Sequence, residues 1–302
     1  MGKARIAILG AGLMGHGIAQ VFALAGHDVT IYDPSAAALD TVRARIEKNL
    51  ADLDEDAAAA ARVRPCPALA DAVRDADVVI EAALEDLAVK RALFAEVELH
   101  APRDATLASN TSVIPITQIM QNLAHRERAL GTHWWNPPFL VPLVEVIGTA
   151  WTDPARIADM IALLKSAGKM PVHCKKDVTG FIGNRLQHAL WREAIALVER
   201  GICDAETVDL VVKASFGRRL AVLGPLENAD LVGLDLTLAI HNTVLPDLDR
   251  SPAAQDTLKT LVAGGKLGMK SGEGFRSWTP QQQTDLRKQV VTHLKKARKD
   301  DA

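Results

Sequence analysis

The stretch GTHWWNPPFLVPLVEVI contains a histidine and a glutamate, His133 and Glu145, whose types suit proton transfer. Histidine changes charge close to neutral pH, so it can take the proton from an alcohol while a hydride leaves the same carbon. A carboxylate bonded to the far ring nitrogen would fix the tautomer and stabilise the imidazolium. Both residues lie on candidate strands, and the intervening NPPFLVP segment could fold back to bring them together. The pattern predicts a catalytic His/Glu pair; a buried structural histidine and a strand-edge acid are the alternative.

A glycine-rich loop, GAGLMG, lies near the start of the chain, between the apolar run Arg5–Leu9 and a helical pattern. In such a loop the first glycine permits the tight turn, the second lets the backbone approach a pyrophosphate, and the third lets helix and strand pack closely. The phosphates then lie at the helix N-terminus, where free N–H groups favour negative charge. The loop residues predicted to bind the dinucleotide are Gly10, Gly12, Leu13, Met14 and Gly15.

An acidic residue, Asp33, ends the next apolar run, DVTIYD. Its carboxylate can accept hydrogen bonds from the adenosine ribose hydroxyls, and it would repel a 2′-phosphate. No arginine follows in PSAAALD, so NAD is favoured over NADP. Together with the His/Glu pair, this predicts an enzyme that transfers a hydride from an alcohol carbon to a nicotinamide.

The first half of the chain alternates strand-like and helix-like patterns. This alternation predicts the α/β class, with a Rossmann-type, doubly wound, mainly parallel sheet and ligands at the carboxyl ends of its strands. After Lys176 the patterns become helical, and Phe181–Arg200 is typical of a long amphipathic helix. We therefore expect an NAD-binding domain over residues 1–178 and a smaller all-helical domain over residues 179–302, with the substrate cleft and the dimer contacts. The predicted strands are Arg5–Leu9, Asp28–Asp33, Asp77–Glu81, Thr106–Ser109, Ala129–His133, Leu143–Ile147 and Met170–Cys174.

Composition and charge argue against several classes of protein. The chain has 302 residues and a formal net charge of -2, with 48% hydrophobic and 24% charged residues, so we expect neither a nucleic-acid nor an anionic-membrane partner. No apolar run approaches the roughly 20 residues of a membrane helix. The cysteines Cys66, Cys174 and Cys203 have neither metal nor disulfide spacing. With no signal peptide expected before the first strand, the pattern predicts a cytoplasmic protein.

Six blocks follow one another across nearly the whole chain: GAGLMGHGIAQVFALAGHDVTIYD, IEAALEDLAVKRALF, ASNTSVIPIT, GTHWWNPPFLVPLVEVI, GFIGNRLQ and KLGMKSGEGF. In this order they resemble the 3-hydroxyacyl-CoA dehydrogenase family. The resemblance implies a Rossmann-type N-terminal domain, a helical C-terminal domain that forms a homodimer, and NAD as the oxidant of a small-molecule substrate.

The resemblance also implies roles for individual residues. His133 and Glu145 correspond to the catalytic base and its partner, and Ser112 and Asn184 to the groups that hold the substrate oxygen. Without the resemblance, Ser112 and Asn184 would be interpreted as loop, cap or helix-start residues. The residues at positions that line the cofactor or the cleft are Glu85, Lys90, Asn110, Asn136 and Lys270.

Two departures from the acyl-CoA members favour a different substrate. Those members carry lysines that face the CoA phosphates in the helical excursion after the second strand, whereas this chain has the acidic segment NLADLDEDAAAAAR there, which would repel phosphate. Trp134–Trp135 replaces a double phenylalanine, and KKDVTGF and SGEGFRSWTPQQ resemble branches that act on small free acids. Those branches include lambda-crystallin/L-gulonate 3-dehydrogenase and a pyridine-ring dehydrogenase of vitamin B6 catabolism. We expect a small 3-hydroxy acid or related hydroxy-carboxylate as substrate, with an L-3-hydroxyacyl-CoA as the alternative.

Two further classes are alternatives. The beta-hydroxyacid dehydrogenases share a GxGxMG loop and a helical second domain, but they rely on a lysine at the head of the long helix, and GFIGNRLQHALWREA contains none. A non-catalytic, crystallin-like structural role is the other alternative. The joint presence of His133, Glu145, Ser112 and Asn184 disfavours it.

Overall fold

The computed structural model describes residues 2–300, which form two compact units. The first unit runs to Arg185 and also includes the chain from Val291 onward, and the second comprises Leu186–Val290. The predicted domain boundary at 178/179 lies in the segment between the last strand, which ends at Cys174, and the helix that begins at Gly183. That boundary stays a prediction.

An eight-stranded sheet forms the centre of the first unit. The strands are β1 (Arg5–Leu9), β2 (Asp28–Tyr32), β3 (Val63–Cys66), β4 (Val78–Glu81), β5 (Thr106–Ser109), β6 (Ala129–Trp134), β7 (Leu143–Ile147) and β8 (Met170–Cys174). Their order is β3-β2-β1-β4-β5-β6-β7-β8, and all neighbours pair in parallel apart from β6 and β7. This order confirms the predicted doubly wound sheet, whose glycine loop follows the central strand β1.

Helices cover both faces of the sheet. They are α1 (Leu13–Leu24), α2 (Ala36–Ala51), α3 (Leu69–Val73), α4 (Leu87–His100), α5 (Ile116–Met120) and α6 (Pro154–Ser166), with 3₁₀ turns at Ala57–Arg62 and Arg126–Arg128. One apolar core joins the sheet to α1, α2 and α6, and a second core on the other face joins it to α3, α4 and α5. Because side chains alternate along a strand, the strands β1, β4, β5, β6 and β7 each contribute to both cores.

The pairing of β6 with β7 positions the predicted catalytic pair. Only eight residues, 135–142, connect these strands, which is too short for the crossover of roughly a dozen residues that a parallel pair needs. The chain therefore turns back, and the antiparallel register places His133 directly opposite Glu145. Trp134 belongs to the core beneath α1 and α6, so His133 faces the other side of the sheet, where its ring packs 5.8 Å from the ring of Phe181.

The second unit is helical, as predicted. Its elements are α7 (Gly183–Glu199), which begins at the end of the first unit, α8 (Ala205–Ala214), a 3₁₀ turn at Phe216–Arg218, α9 (Pro225–Val232), α10 (Leu234–Val244), α11 (Asp256–Ala263) and α12 (Pro280–Asp300). The last residues of α12 return to the first unit. No helix within residues 2–300 is long and apolar enough to cross a membrane.

All seven predicted strands are present, and the structure has one further strand that was not predicted. That strand, β3, has four residues and pairs on one side only, with β2. Its sequence VRPC contains Pro65, which cannot donate a hydrogen bond to a sheet and is tolerated at an edge. The strand therefore depends on the neighbour it docks against rather than on an apolar pattern of its own.

Candidate active site

The His133–Glu145 pair is buried, with only 4% and 0% of the two residues exposed. His133 Nδ1 lies 2.7 Å from Glu145 Oε2. An ionised carboxylate can only accept hydrogen bonds, so Nδ1 must carry the donated proton. Nε2 then holds the free lone pair, as a general base requires. The Trp135 ring packs 5.2 Å from the imidazole and restricts its orientation.

The second carboxylate oxygen of Glu145 holds the start of α7. Oε1 accepts hydrogen bonds from the backbone N–H groups of Ile182 and Gly183, at 2.8 and 3.0 Å. Burial raises the pKa of Glu145, but the hydrogen bonds from His133 and these two N–H groups outweigh burial, and the pKa lies below its ordinary value. Glu145 is therefore an anion at neutral pH.

Ser112 and Asn184 meet beside this pair. Asn184 follows the two residues held by Glu145, and its Nδ2 donates to the Ser112 carbonyl oxygen at 2.8 Å. The Ser112 N–H donates to Glu85 Oε1 at 2.8 Å. Asn184 is buried while Ser112 is exposed, so the serine hydroxyl is accessible to a ligand. The structure thus joins these predicted site residues through direct hydrogen bonds.

A buried carboxylate that the sequence analysis missed supports this arrangement. Glu81, fully buried at the end of β4, pairs with Lys90 Nζ at 2.6 Å and accepts a hydrogen bond from Ser109 Oγ at 2.6 Å. Lys90 in turn lies 3.3 Å from Glu85 Oε2. The lysine, 1% exposed, is therefore held between two acids rather than solvated. An acid that ends the apolar run VVIE was the available signal.

The remaining predicted residues differ in their surroundings. Asn110 is buried, and its Oδ1 accepts the Trp134 N–H at 2.9 Å, which ties the end of β5 to the end of β6. Asn136 is exposed and precedes a cis peptide bond to Pro137. Lys270 is exposed in the second unit, between α11 and α12. Within residues 2–300, no group of three or more His, Cys, Asp or Glu residues could hold a metal ion.

The glycine loop has the shape that a dinucleotide requires. Gly10 has φ of 107°, and a Cβ there would lie 2.6 Å from the Ala82 carbonyl oxygen. A Cβ at Gly15 would overlap the Gly10 carbonyl oxygen, whereas a Cβ at Gly12 would meet nothing within 4 Å. The first turn of α1 has neither a side-chain cap nor an acid, so its N–H groups are available to a phosphate.

Asp33 closes the same loop. Its Oδ2 accepts the Ala11 N–H at 2.7 Å, and its Oδ1 accepts the Ser35 N–H at 2.8 Å. Each oxygen retains a lone pair for a ribose hydroxyl. The loop and Asp33 therefore fit NAD.

The Rossmann-type sheet with its glycine loop, and the buried His133–Glu145 contact on the same unit, are the features expected of a dinucleotide-dependent oxidoreductase. The NAD-binding domain model of 3-hydroxyacyl-CoA dehydrogenase matches residues 5–178, and the C-terminal domain model of the same family matches residues 180–278. The chain therefore belongs to the 3-hydroxyacyl-CoA dehydrogenase family, whose members are NAD-dependent oxidoreductases acting on hydroxyl groups.

Relatives of two kinds resemble the chain. The 5-formyl-3-hydroxy-2-methylpyridine 4-carboxylate 5-dehydrogenase of Mesorhizobium japonicum is 36% identical over 294 residues, which is 96% of this chain and 95% of that protein. A crystal structure of a dehydrogenase of this name, described as an NAD+ dependent dismutase, has a TM-score of 0.91 and covers 98% of both chains at 35% identity. The 3-hydroxybutyryl-CoA dehydrogenase of Mycobacterium tuberculosis is 37% identical, covering 91% of this chain and 98% of that protein. A solved (S)-3-hydroxybutyryl-CoA dehydrogenase of Ralstonia eutropha has a TM-score of 0.77 and 32% identity, covering 92% of this chain and 100% of that chain.

Two glycine substitutions in the loop should have different effects on the stability of the protein and on its affinity for NAD. Gly15→Ala should destabilise the protein by about 1–3 kcal/mol or more, because its Cβ overlaps the backbone. Gly12→Ala, which has open space and φ of -71°, should change stability by less than about 1 kcal/mol. It should nevertheless weaken NAD binding by about tenfold or more, since the second glycine of such a loop is the point at which a pyrophosphate approaches the backbone. Urea unfolding and NAD titration calorimetry measure the two effects, and equal destabilisation by both substitutions would contradict this account.

Glu145→Gln should change how stability depends on pH. The folded-state pKa of Glu145 lies below the ordinary value of 4.5, so its contribution is complete above about pH 4.5 and is lost as the pH falls through the lower folded pKa. We expect the variant to be about 1–3 kcal/mol less stable at pH 7. The difference between the free energies of unfolding of the variant and the wild-type protein should become smaller as the pH falls. Urea unfolding at a series of pH values measures this difference. Asp40→Asn, at an exposed site on α2, is the matched control. A loss of unfolding free energy in Glu145→Gln that does not depend on pH would refute the prediction.

Proposed function

We propose that this enzyme oxidises the hydroxyl group of a small 3-hydroxy acid or a related hydroxy-carboxylate, with NAD as the oxidant and His133 as the general base. The observation that carries the proposal is the buried 2.7 Å contact between His133 Nδ1 and Glu145 Oε2. This contact directs the Nε2 lone pair away from Glu145, where it can accept the substrate proton.

Glu145 acts on the proposed base, His133, whereas Ser112 and Asn184 act on the substrate. Glu145 stabilises the imidazolium that forms when His133 takes the proton. The Ser112 hydroxyl and the Asn184 amide hold the substrate oxygen. The hydrogen bond from Asn184 Nδ2 to the Ser112 backbone carbonyl oxygen keeps the two residues in place. A bound NAD would supply the nicotinamide ring that takes up the hydride leaving the substrate carbon.

NAD binding is assigned to the glycine loop and to residues at the strand ends. The loop residues are Gly10, Gly12, Leu13, Met14 and Gly15, and the residues beyond the loop are Asp33, Glu85, Lys90, Asn110, Asn136 and Lys270. The Asp33 carboxylate supports NAD over NADP because it would repel a 2′-phosphate. The Glu81–Lys90 ion pair supports the assignment of Lys90, since it fixes the ammonium at the carboxyl edge of the sheet.

The surroundings of the acidic excursion support a substrate without CoA. Two of its acids are paired within the chain, Asp52 with Lys48 at 2.8 Å and Glu55 with Arg298 on α12. Lys295, one turn earlier on α12, donates to the Asp52 carbonyl oxygen. The end of α12 therefore covers the segment where acyl-CoA members carry lysines for CoA. The relative whose structure aligns over 98% of this chain carries a pyridine carboxylate in its name.

Apolar side chains on the second unit support a homodimer. Leu226, Leu231, Leu234 and Leu238, on α9 and α10, are each at least 62% exposed in the single chain. Monomeric proteins rarely expose so many neighbouring leucines. We propose that a second copy of the chain covers these leucines.

Cytoplasmic localisation is also proposed, and it is supported by cysteines that are all free.

NADH formation across a substrate panel tests the proposed function. The panel pairs L-3-hydroxybutyryl-CoA with free L-3-hydroxybutyrate, L-gulonate, carnitine and hydroxymethyl- or formyl-pyridine carboxylates. We expect turnover of a free acid and none of the CoA ester. Turnover of the CoA ester alone would refute the proposed substrate class. NAD binding without turnover of any substrate would favour the crystallin-like alternative.

His133→Ala should reduce turnover about 10²–10⁴-fold, the usual contribution of a positioned general base. NAD affinity should stay unchanged, because the glycine loop lies on another part of the sheet. His173→Ala, an exposed histidine on the neighbouring strand β8, is the control and should turn over normally. Turnover by His133→Ala near the wild-type rate would remove His133 from the mechanism.

Light scattering coupled to size-exclusion chromatography tests the homodimer. We expect a mass twice that of the 32.5 kDa chain. Leu238→Glu should produce monomers, because it places a charge in the proposed interface. Leu99→Glu, at a leucine on α4 of the first unit that is more exposed than Leu238, should remain a dimer. A monomeric wild-type protein would refute the assignment.

A further inference from the structure

The first unit contains a cavity of about 250 Å³ apart from the His133–Glu145 pair. Apolar side chains form most of its wall, from α1, from the turn after α2 and from the β6–β7 connection. They are Val21, Leu24, Leu53, Phe139, Leu140 and Pro142. The cavity is close in volume to the smallest ligand pockets, so it has room for a small organic molecule.

The cavity lies on the opposite side of the sheet from the catalytic pair. Its walls belong to α1 and α6, which pack on the same core as Trp134. His133 alternates with Trp134 along β6 and packs against Phe181 in the other core. The cavity is therefore separate from the substrate site.

A buried ammonium group forms part of this wall. Lys169 is 9% exposed, and its Nζ donates to the carbonyl oxygens of Pro138 and Val141 at 2.7 and 2.5 Å and lies 5.6 Å from the centroid of the Trp134 ring, so its third N–H has no hydrogen-bond acceptor among the described residues. Within residues 2–300, Lys169 forms no salt bridge with a carboxylate. Burial, together with the charge of Arg298, lowers the pKa of Lys169 to about 8, so the group is mostly cationic at pH 7. A buried cation without a carboxylate is stabilised by an anion.

Two more donors line the same cavity. Gln20 is 1% exposed; its Oε1 accepts from Asn49, and its Nε2 has no partner among the described residues. Arg298 pairs with Glu55 through one nitrogen, which leaves other N–H groups of the guanidinium available. Lysine, arginine and the amide nitrogen are all donors, so the polar part of the cavity offers hydrogen bonds and positive charge.

We propose that this cavity binds a small organic carboxylate, with the carboxylate group at Lys169, Arg298 and Gln20 and the apolar part of the molecule against the aliphatic wall. The donors and the net positive charge select an anion over a neutral ligand. The apolar wall, which covers most of the surface, selects an organic acid over inorganic phosphate, because phosphate would leave that wall without contacts.

Calorimetric titration with benzoate, benzamide and inorganic phosphate tests this site. Benzoate should bind the wild-type protein with a dissociation constant between ~1 μM and ~1 mM. Benzamide, its neutral counterpart, and phosphate should bind at least about tenfold more weakly. No benzoate binding at about 10 mM, or equal binding of benzoate and benzamide, would overturn the proposal.

Two variants locate the bound benzoate. Gln20→Glu replaces one donor nitrogen with a charged oxygen while keeping the acceptor for Asn49, and Arg298→Met removes a cation. Each should weaken benzoate binding about tenfold or more. Lys295→Met, one turn away on α12 and outside the cavity wall, is the control and should bind benzoate normally. Benzoate held in the substrate site would be unaffected by Gln20→Glu, so unchanged affinity in that variant would refute the proposal whatever the substrate proves to be.

Discussion

The carboxylate of Glu145 binds both the His133 ring and the start of α7, and the arrangement of the site depends on these two interactions. One oxygen fixes the imidazole of His133 at 2.7 Å, and the other holds the N–H groups of Ile182 and Gly183. The next residue along the chain is Asn184, which is tied to Ser112. A single buried anion thus sets the tautomer of His133 and the position of the start of α7. The antiparallel register of β6 and β7 is what places it there.

A second buried carboxylate organises the neighbouring strand ends in the same way. Glu81 binds Lys90 and Ser109, and Lys90 reaches Glu85, which holds the backbone of Ser112. Burial raises the pKa of Glu85, but hydrogen bonds from Thr111 and the charge of Lys90 outweigh burial, and the pKa is lowered. Two anchored carboxylates, Glu85 and Glu145, therefore hold the backbone of Ser112 and the ring of His133. Groups held this way need little reorganisation when charge develops.

The sequence predicts those features of the fold and the site that depend on residues close together along the chain. The glycine loop, the alternating pattern and the short link between β6 and β7 lead to the Rossmann-type sheet and to the His133–Glu145 pair. The missed features arise from tertiary packing. Glu81 ends an apolar run, and only the β4–β5 register reveals its partner Ser109. Lys169 follows an amphipathic helix, and nothing near it in sequence indicates that the chain end returns with Arg298 beside it.

The tautomer of His133 is the most direct test of this account, and ¹⁵N NMR of the imidazole measures it. We predict that the neutral form of the ring carries its proton on Nδ1 and leaves Nε2 unprotonated, because the ionised Glu145 carboxylate can only accept a hydrogen bond. In Glu145→Gln that preference should be lost, whereas the signals of His173 should not change. A ring protonated on Nε2 in the wild-type protein, or a tautomer unaffected by Glu145→Gln, would contradict the claim that Glu145 prepares His133 as the base.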